Sequence, residues 1–269
     1  MMRWLPRPTA SDDKYSRGVL GAIVGSETYP GAAVLVTEAA WRTGAGMVRL
    51  GSPARAQELV LHRRPETVVS EAVDMGRCSA YTIGSGLDRD ERDEELLGVI
   101  AEACDSGVPV VLDAGALDFA MRVRGPALVT PHAGELTRML GWLGLTVERH
   151  DVEGDPERYA RRVAEETGAV VLLKGAVTHI ATPAGESDSV TASTYRLATA
   201  GSGDVLAGIL GALSAQNASE LRAADDFASL AATGAALHAA AAKRLGDRPI
   251  VAMDVAESVA ETIAEASRS

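Results

Sequence analysis

The sequence predicts an α/β fold, with a central mostly parallel sheet that carries helices on both faces. Short apolar runs alternate with stretches of helical composition along almost all of the 269 residues. The apolar runs are continuous rather than alternating, which is typical of strands that are covered on both faces. No Pro-, Gly- or Ser-rich tract resembles an interdomain linker, and no segment repeats at a fixed period.

The predicted elements follow one another as strand and helix. The first strand is expected at 19–24 and the first helix begins at Pro30, whose fixed φ suits a first helical residue, and ends near Arg42. The remaining strands are expected at 47–50, 81–83, 108–113, 127–130 and 169–174, and the remaining helices near 91–106, 133–140, 156–167, 203–215, 221–245 and 254–266. In such sheets ligands bind beyond the carboxyl ends of the strands, so the loops that follow the strands are the expected site.

Composition and charge disfavour several classes of function. Lys and Arg number 26 against 37 Asp and Glu, a net charge of −11, which disfavours binding to nucleic acid or to an anionic membrane. No apolar stretch suits a signal peptide or a membrane span, so we expect a cytoplasmic protein. The two cysteines, Cys78 and Cys104, are expected to be packing residues. The histidines lack metal-ligand spacing, so no metal ligands are assigned.

The strongest local motif is the segment LATAGSGDVLAG at 197–208, in which small residues lead into a helix that begins near Gly203. The free N–H groups and the dipole at a helix start can bind an anion. Asp204 lies in the first turn, where a carboxylate can accept the proton of a hydroxyl that attacks a phosphoryl group. The alternative is a glycine turn with an ordinary first-turn acid. The GxxxxGK[ST] pattern is absent, so the segment is not a P-loop.

Four other loops place glycine beside a polar group. The segment TPHAGE at 130–135 directs His132 towards the sheet edge, although a structural histidine is the alternative. Lys174 opens the segment KGAVT, which could line a nucleotide or form a hairpin turn with a surface lysine. Asp113 and the segment GSGLD at 84–88 end two other strands, and turn chemistry explains each alone. Five such loops in one α/β chain favour a shared ligand site.

These loops, in this order, resemble those of the ADP-dependent NAD(P)H-hydrate dehydratases, a branch of the ribokinase-like superfamily. The similarity extends from Lys14 to about Val259. Its motifs are KYSRG at 14–18, YPGAA at 29–33, AAWRTGAG at 39–46, GSGL at 84–87, LDAGAL at 112–117, TPHAGE, LKGAVT and GSGD at 201–204. The last three, with PGAA, are specific in combination, whereas sugar kinases in general share the Gly-x-Gly-Asp loop.

The resemblance implies a ribokinase-like fold and the repair of damaged nicotinamide cofactors. The (6S)-hydrates of NADH and NADPH, written NADHX and NADPHX, would be dehydrated back to the reduced cofactors while ADP is converted to AMP and phosphate. It also implies Mg²⁺, held mainly by phosphate oxygens and water, and a homotetramer. By analogy, Ala32, Gly86 and His132 contact the hydrate, Lys174, Gly175, Ala176, Val177, Thr178 and Gly203 contact the adenine nucleotide, and Asp204 at their junction is the catalytic base.

Several positions depart from the family pattern. Asp13 stands where histidine is common, Ser85 and Asp88 replace a proline and a glycine, and Ala133 replaces a proline. Ala200 replaces a glycine before Gly201, and its Cβ is expected to alter the fit of the nucleotide. None of these changes removes a group with chemistry of its own, so the expected activity is retained.

The position of the first matched motif sets the expected domain organisation. Because this motif begins at Lys14, we expect one dehydratase domain over 14–269, an N-terminal extension over 1–13, and no epimerase domain of the kind that many relatives carry. Two alternatives are a ribokinase-like kinase of a small alcohol or vitamin precursor, and a non-catalytic nucleotide-binding protein.

Overall fold

The computed structural model of the chain describes residues 2–5, 7–70 and 75–268. Within them lie the strands β1 (Val19–Ile23), β2 (Met47–Gly51), β3 (Val68–Ser70), β4 (Ala80–Ile83), β5 (Val110–Leu112), β6 (Ala127–Val129), β7 (Val170–Leu173), β8 (Val177–Ala181) and β9 (Ser187–Thr191). The α-helices are α1 (Pro30–Arg42), α2 (Ala54–Arg63), α3 (Glu94–Asp105), α4 (Ala133–Trp142), α5 (Arg149–Gly154), α6 (Pro156–Thr167), α7 (Ser202–Gln216), α8 (Ala224–Arg244) and α9 (Ala252–Ala266). Short 3₁₀ helices lie at Met2–Trp4, Arg89–Glu91, Ala114–Arg122 and Tyr195–Leu197.

The strands form one sheet in the order β3-β2-β1-β4-β5-β6-β7-β8-β9. Neighbours from β3 through β7 are parallel, and β8 and β9 add an antiparallel hairpin at one edge. The predicted fold class is therefore confirmed. Parallel neighbours place the carboxyl ends of β4, β5, β6 and β7 side by side, and the loops that follow them converge at this edge.

Alternate strand residues face two separate cores, one on each side of the sheet. In β5, Val111 packs with α7, α8 and α9, whereas Val110 and Leu112 pack on the opposite face with α3, α4 and α6. Trp4 and Leu5, assigned from sequence to an N-terminal extension, are buried in the first of these cores, where the Trp4 indole N–H donates to Ser229 Oγ at 3.0 Å. Helices thus cover both faces, as the continuous apolar strands predicted.

Every predicted strand and helix is present, with ends that shift by a few residues. The strand predicted at 108–113 is shorter than expected: β5 covers only Val110–Leu112. The additional strands and α-helices are β3, β8, β9, α2 and α5. These are short or lie at the sheet edges, and they bury few apolar side chains.

Two expectations from composition have direct structural counterparts. Cys78 and Cys104 are free thiols and both are buried, consistent with packing roles. In the part of the chain that the structure describes, no helix has the length and apolar character needed to cross a membrane.

Candidate active site

Asp113, the residue after β5, is the hub of a polar cluster at the carboxyl edge of the sheet. The buried carboxylate accepts hydrogen bonds from three side chains. Oδ1 accepts from Thr130 Oγ1 at 2.8 Å and from Lys174 Nζ at 2.7 Å, while Oδ2 accepts from Ser85 Oγ at 3.0 Å. These donors follow β6, β7 and β4, so one carboxylate joins the ends of four adjacent strands.

Lys174 lies inside this cluster rather than on the surface. It follows β7, and its N–H donates to Pro131 O at 2.8 Å, which aligns its backbone with that of His132. Nζ also lies 3.6 Å from Glu135 Oε2. Burial disfavours the ammonium, but the carboxylates of Asp113, Glu135 and Asp204 outweigh it and raise the pKa of Lys174. The lysine therefore carries a positive charge in the site and is not a surface lysine, although residues 174–176 do form the hairpin turn of that alternative, between the antiparallel strands β7 and β8.

His132 caps the N-terminus of α4 in a reciprocal arrangement with Glu135. Its N–H donates to Glu135 Oε2 at 2.8 Å, and its Nδ1 accepts from the Glu135 N–H at 3.2 Å. Burial, aided by Lys174, lowers the pKa of His132 although the Glu135 charge opposes it. The imidazole is thus structural through Nδ1, while the side chain, 55% exposed, stays available to a ligand on its outer side.

The start of α7 brings Asp204 to the same cluster. Gly201 precedes the helix with φ +84°, a left-handed conformation that glycine adopts without strain. At Gly203 an added Cβ would lie 3.5 Å from Lys174 Nζ, so the helix start and the ammonium face each other closely. The helix dipole and an ammonium converge here, and this arrangement favours an anionic phosphate.

The carboxyl group of Asp204 has a pKa well above that of an ordinary aspartate. Burial and the nearby Asp113 charge raise its pKa to about 6, against the lowering effects of Lys174 and of a hydrogen bond with Ser85. A carboxylate with a raised pKa in a cleft is a candidate general base, because its proton affinity approaches that needed near neutral pH. Asp204 is therefore better placed than an ordinary first-turn acid to take part in chemistry.

A pocket of about 580 Å³ opens on one side of Asp204, beyond the start of α7. It is mostly apolar, and Lys174 and Gly203 lie where it meets the polar cluster. Ser202 and His238 form part of its inner wall, with Oγ and Nε2 3.4 Å apart, and burial lowers the pKa of His238 to about 4, so this imidazole is neutral. Of the residues predicted to contact a nucleotide, the pocket is lined by Lys174, Gly175, Ala176, Thr178 and Gly203, together with His132 and Ala200.

Val177, the remaining predicted nucleotide contact, lies outside that lining. It is the first residue of β8 and its side chain is 39% exposed. Its backbone pairs with Thr191 in the edge hairpin. Its predicted contact with the nucleotide stays a prediction.

Of the predicted hydrate contacts, Ala32 and Gly86 adjoin each other, whereas His132 lines the pocket beside Lys174. Gly86 has φ +72°, and an added Cβ would lie 2.5 Å from the Cβ of Ala32 and 3.1 Å from Cα of Gly25. Gly25 and the adjoining Leu87 line a second pocket of about 470 Å³. The lining of this pocket includes neither Ala32 nor Gly86, and His132 lines the first pocket, so the predicted division between hydrate and nucleotide contacts stays a prediction.

Three members of the cluster were not assigned a role from sequence. Asp113 was noted only as a strand end, Glu135 only as part of a motif, and Ser85 only as a departure from the family pattern. The position of Asp113 and Glu135 at or after strand ends was the available signal. For Ser85, replacement of proline by a residue with a hydroxyl group was the available signal.

Two acidic groups of the cluster, Asp113 and Glu135, are already occupied by protein donors. Both oxygens of Asp113 accept hydrogen bonds, and Glu135 is engaged by His132 and Lys174. Over residues 2–5, 7–70 and 75–268, no three His, Cys, Asp or Glu side chains are grouped as a metal site. These residues fit a Mg²⁺ that takes its ligands from nucleotide phosphates and water, and they do not supply a metal cage of their own.

Comparison with known proteins identifies the family. The family model described as NAD(P)H-hydrate dehydratase matches residues 20–265. The chain belongs to this family. The bifunctional NAD(P)H-hydrate repair enzyme Nnr of Mycobacterium tuberculosis is 42% identical over 220 residues, which cover 78% of this chain and 43% of that protein. The chain thus spans about half the length of the curated bifunctional relatives that it matches first.

Two further relatives cover nearly all of both chains. The ADP-dependent (S)-NAD(P)H-hydrate dehydratase of Xanthomonas campestris is 33% identical over 266 residues, 92% of this chain and 87% of that protein. The crystal structure of the ADP/ATP-dependent NAD(P)H-hydrate dehydratase of Bacillus subtilis, co-crystallised with ATP/Mg²⁺, has a TM-score of 0.82 at 28% identity. It covers 97% of this chain, and the aligned part is 94% of that structure. The ribokinase-like fold of the NAD(P)H-hydrate dehydratase family is therefore that of this chain.

Proposed function

We propose that this chain dehydrates NADHX and NADPHX to NADH and NADPH, with ADP as the phosphoryl donor and AMP and phosphate as products. The observation that carries the proposal is the position of Asp204, a largely buried carboxyl group in the first turn of α7, directly after Gly203, which lines the apolar pocket together with Lys174. Relatives named as NAD(P)H-hydrate dehydratases support the choice of reaction. A kinase of a small alcohol would use the same helix start, but the family match favours dehydration.

The nucleotide is proposed to bind in the apolar pocket of about 580 Å³ that Lys174 and Gly203 line. Its terminal phosphate would meet the N–H groups of Gly201 and Gly203 and the ammonium of Lys174, which faces Gly203. The apolar walls of the pocket suit a purine base. A Mg²⁺ carried by the phosphates would neutralise part of their charge.

The first step is phosphoryl transfer to the hydrate. Asp204 accepts the proton of the C6 hydroxyl as that oxygen attacks the β-phosphorus of ADP, and the bond from this phosphorus to the bridging oxygen breaks to release AMP. The N–H groups of Gly201 and Gly203 and the Lys174 ammonium stabilise the charge that develops on the transferred group. The hydroxyl is thereby converted from a poor leaving group into a phosphate ester.

The second step expels the phosphate. The lone pair of the ring nitrogen forms a double bond to C6 while the C6–O bond breaks, and the phosphate leaves with those bonding electrons. Loss of a proton from C5 then restores the C5–C6 double bond of the dihydronicotinamide. The net change is removal of one water from the hydrate, with its oxygen found in the phosphate. The homotetramer stays a prediction from the resemblance, and the cytoplasmic location stays a prediction from the apolar pattern of the sequence.

The test uses purified protein, chemically prepared NADHX or NADPHX and Mg²⁺, with ADP, ATP or no nucleotide in parallel. Recovery of the near-ultraviolet absorbance of the reduced nicotinamide only when nucleotide is present would support the proposal and identify the donor. Comparison of the two hydrates would give the cofactor preference. No recovery with either nucleotide, from protein whose circular dichroism shows it to be folded, would overturn the proposal in favour of the alcohol kinase.

A further inference from the structure

Tyr195 lines the apolar pocket that precedes the start of α7, yet it is 82% exposed. No other large hydrophobic residue in the described part of the chain is as exposed, and the next, Met121, is 68% exposed. A single exposed aromatic residue needs no explanation by itself. At the rim of a pocket, however, its ring offers a large apolar face that a bound molecule can cover.

The backbone on both sides of Tyr195 is held in place. Ser193 Oγ donates to the backbone oxygen of Ala239 on α8 at 3.2 Å. On the other side, the Arg196 guanidinium donates to the backbone oxygen of Asp247, beyond the end of α8. Two hydrogen bonds thus tie the loop to α8 and to the segment that follows it, while the ring between them stays open to solvent. The ring is therefore presented by a fixed support.

The wall across from this loop is tied to it as well. The N–H of Ala192, three residues before Tyr195, donates to Ala176 O in the turn between β7 and β8 at 2.9 Å. The same turn begins at Lys174, which lines the pocket together with Gly203 where the phosphates are proposed to bind. The pocket thus has a charged end at Lys174 and an apolar remainder. Small residues line much of that remainder: Gly175, Ala176, Thr178, Ala235 and Ala239.

The other rings in the pocket lining of the described chain are those of His132 and His238, and both are engaged. His132 Nδ1 accepts from the Glu135 N–H at 3.2 Å, and His238 Nε2 lies 3.4 Å from Ser202 Oγ. Tyr195 is thus the large aromatic side chain of this lining, and its exposed face is uncommitted.

We propose that Tyr195 is the base-stacking residue of the nucleotide pocket, and that its ring gives the site a preference for purine over pyrimidine nucleotides. The proposal rests on the proposed function, because it assigns the apolar part of the pocket to the base of the phosphoryl donor. Aromatic side chains stack on any base, since every base has a π-face. A purine offers the larger face, so stacking on Tyr195 buries more apolar area with a purine than with a pyrimidine.

The first test is calorimetric titration with ADP, UDP and inorganic diphosphate, each with Mg²⁺. In Tyr195→Ala we expect ADP to bind about fivefold to thirtyfold more weakly. UDP should lose less affinity, and diphosphate, which has no base, should lose none. Tyr195→Phe keeps the ring and should bind all three ligands as the wild type does. An unchanged affinity for ADP in Tyr195→Ala, or an equal loss for ADP, UDP and diphosphate, would overturn the proposal.

Tyr15→Ala is the matched control, because Tyr15 is also an exposed tyrosine, at 56%. It lies near the other end of α7: an added Cβ at Gly18, three residues later, would lie 2.4 Å from Ala215 O in the last turn of that helix. This variant should leave the affinity for every ligand unchanged. A loss of ADP affinity in Tyr15→Ala equal to that in Tyr195→Ala would also overturn the proposal.

The second test observes the ring directly, without hydrate. In protein with carbon-13-labelled tyrosine, the signals of Tyr195 are assigned by their absence in Tyr195→Phe. Saturating ADP should move them upfield, through the ring current of a stacked purine, and diphosphate should leave them nearly in place. Signals that do not move with ADP would refute the stacking. A wild type that shows this shift but has no turnover would contradict the proposed function and leave the role of Tyr195 intact.

Steady-state kinetics give a third measurement where the hydrate is turned over. A contact with the base is the same before and during phosphoryl transfer. Tyr195→Ala should therefore raise the KM for ADP and leave kcat close to that of the wild type. A fall in kcat with an unchanged KM would contradict a role in stacking on the base.

Discussion

The ammonium of Lys174 lies 2.7 Å from Oδ1 of Asp113, although the two residues are 61 positions apart in the chain. The contact crosses β6 and joins the ends of β5 and β7. Thr130 and Ser85 donate to the same carboxylate, so the polar edge of the sheet is organised around one buried ion pair rather than around the motif that contains Asp204. The environment of the proposed base is therefore set by residues that come from other loops.

Replacing Asp204 by asparagine should abolish turnover while nucleotide binding is retained. Asparagine has a similar shape but cannot accept the hydroxyl proton, and loss of a general base costs about 10²–10⁴ in rate. Steady-state kinetics and calorimetric titration with ADP would measure the two effects. Asp254→Asn, a first-turn acid of α9 that caps the Val251 N–H at 3.0 Å, is the matched control and should keep full activity. Unchanged turnover in Asp204→Asn would exclude this carboxyl from the mechanism.

The raised pKa of Asp204 should appear in the pH dependence of the reaction. Because the base must be ionised, the rate should fall about tenfold per pH unit as the pH drops below about 6. The acid limb should be measured on kcat/KM, which reports the free enzyme. A limb near the ordinary value of 3.8 would contradict the environment described for this carboxyl.

The same shift predicts that Asp204 destabilises the folded chain at neutral pH. Its pKa in the folded chain, about 6, lies above the ordinary value of 3.8. The folded state therefore binds this proton more tightly than the unfolded state does. The protonated carboxyl group has no stability cost below pH 3.8, and the free energy of unfolding falls as the pH rises from 3.8 through 6. Asp204→Asn lacks this titration and should be more stable than the wild type by up to about 2–3 kcal/mol at pH 7. Urea unfolding of both proteins at pH 4 and pH 7 would measure the difference. A gap that widens towards pH 4 would have the wrong sign.

Removing the Lys174 ammonium should weaken both the fold and the binding of nucleotide. Lys174→Met keeps much of the apolar stem but leaves Asp113 and Glu135 without their cation, and loss of one partner from a buried ion pair costs about 3–5 kcal/mol. Unfolding by urea and calorimetric titration with ADP would report the two losses. Lys243→Met, at an exposed position in the last turn of α8, is the control and should change neither. Wild-type ADP affinity in Lys174→Met would contradict the proposed phosphate contact.

Two glycines at the start of α7 should respond differently to substitution by alanine. At Gly201, φ is +84° and an added Cβ would lie 2.5 Å from Leu35 Cδ1, so the change should destabilise the chain by at least about 1–2 kcal/mol. At Gly203 the new Cβ would meet Lys174 Nζ at 3.5 Å, an ordinary contact, and alanine favours a helix. Gly203→Ala should therefore fold normally. It should bind ADP more weakly, because the new Cβ would lie beside the Lys174 ammonium that is proposed to contact the phosphate. Thermal unfolding with and without ADP would measure the loss of stability and the loss of ADP binding in each variant. Equal losses of stability in Gly201→Ala and Gly203→Ala would contradict this prediction.

The parallel part of the fold could be predicted from sequence because its strands are buried on both faces and read as continuous apolar runs. The hairpin β8–β9 could not, since Ser187–Thr191 is polar and almost wholly exposed at the sheet edge. Helix α2 gave no clear period because its buried residues are only Ala56 and Val60. Helix α5 buries only Val152, so its sequence has no apolar period either.

The site was predicted where the chain itself carries the chemistry and missed where tertiary contacts create it. Gly201 and Asp204 are adjacent in sequence to the helix that presents them, so their pattern predicts an anion site and an acid beside it. Asp113 and Ser85 matter because β4 and β5 are neighbours, a relationship that local composition does not encode. The replacement that looked chemically neutral at Ser85 introduced a hydroxyl that donates to the buried carboxylate of Asp113.

The strand order also governs when the site comes into existence. Six ladders of the sheet are parallel, so the segments that pair lie far apart in the chain and long loops must close before they can meet. Asp113 acquires all of its donors only after β4, β6 and β7 have docked beside β5. A nascent or half-folded chain thus lacks the assembled site proposed for phosphoryl transfer, and the proposed activity should be a late marker of complete folding.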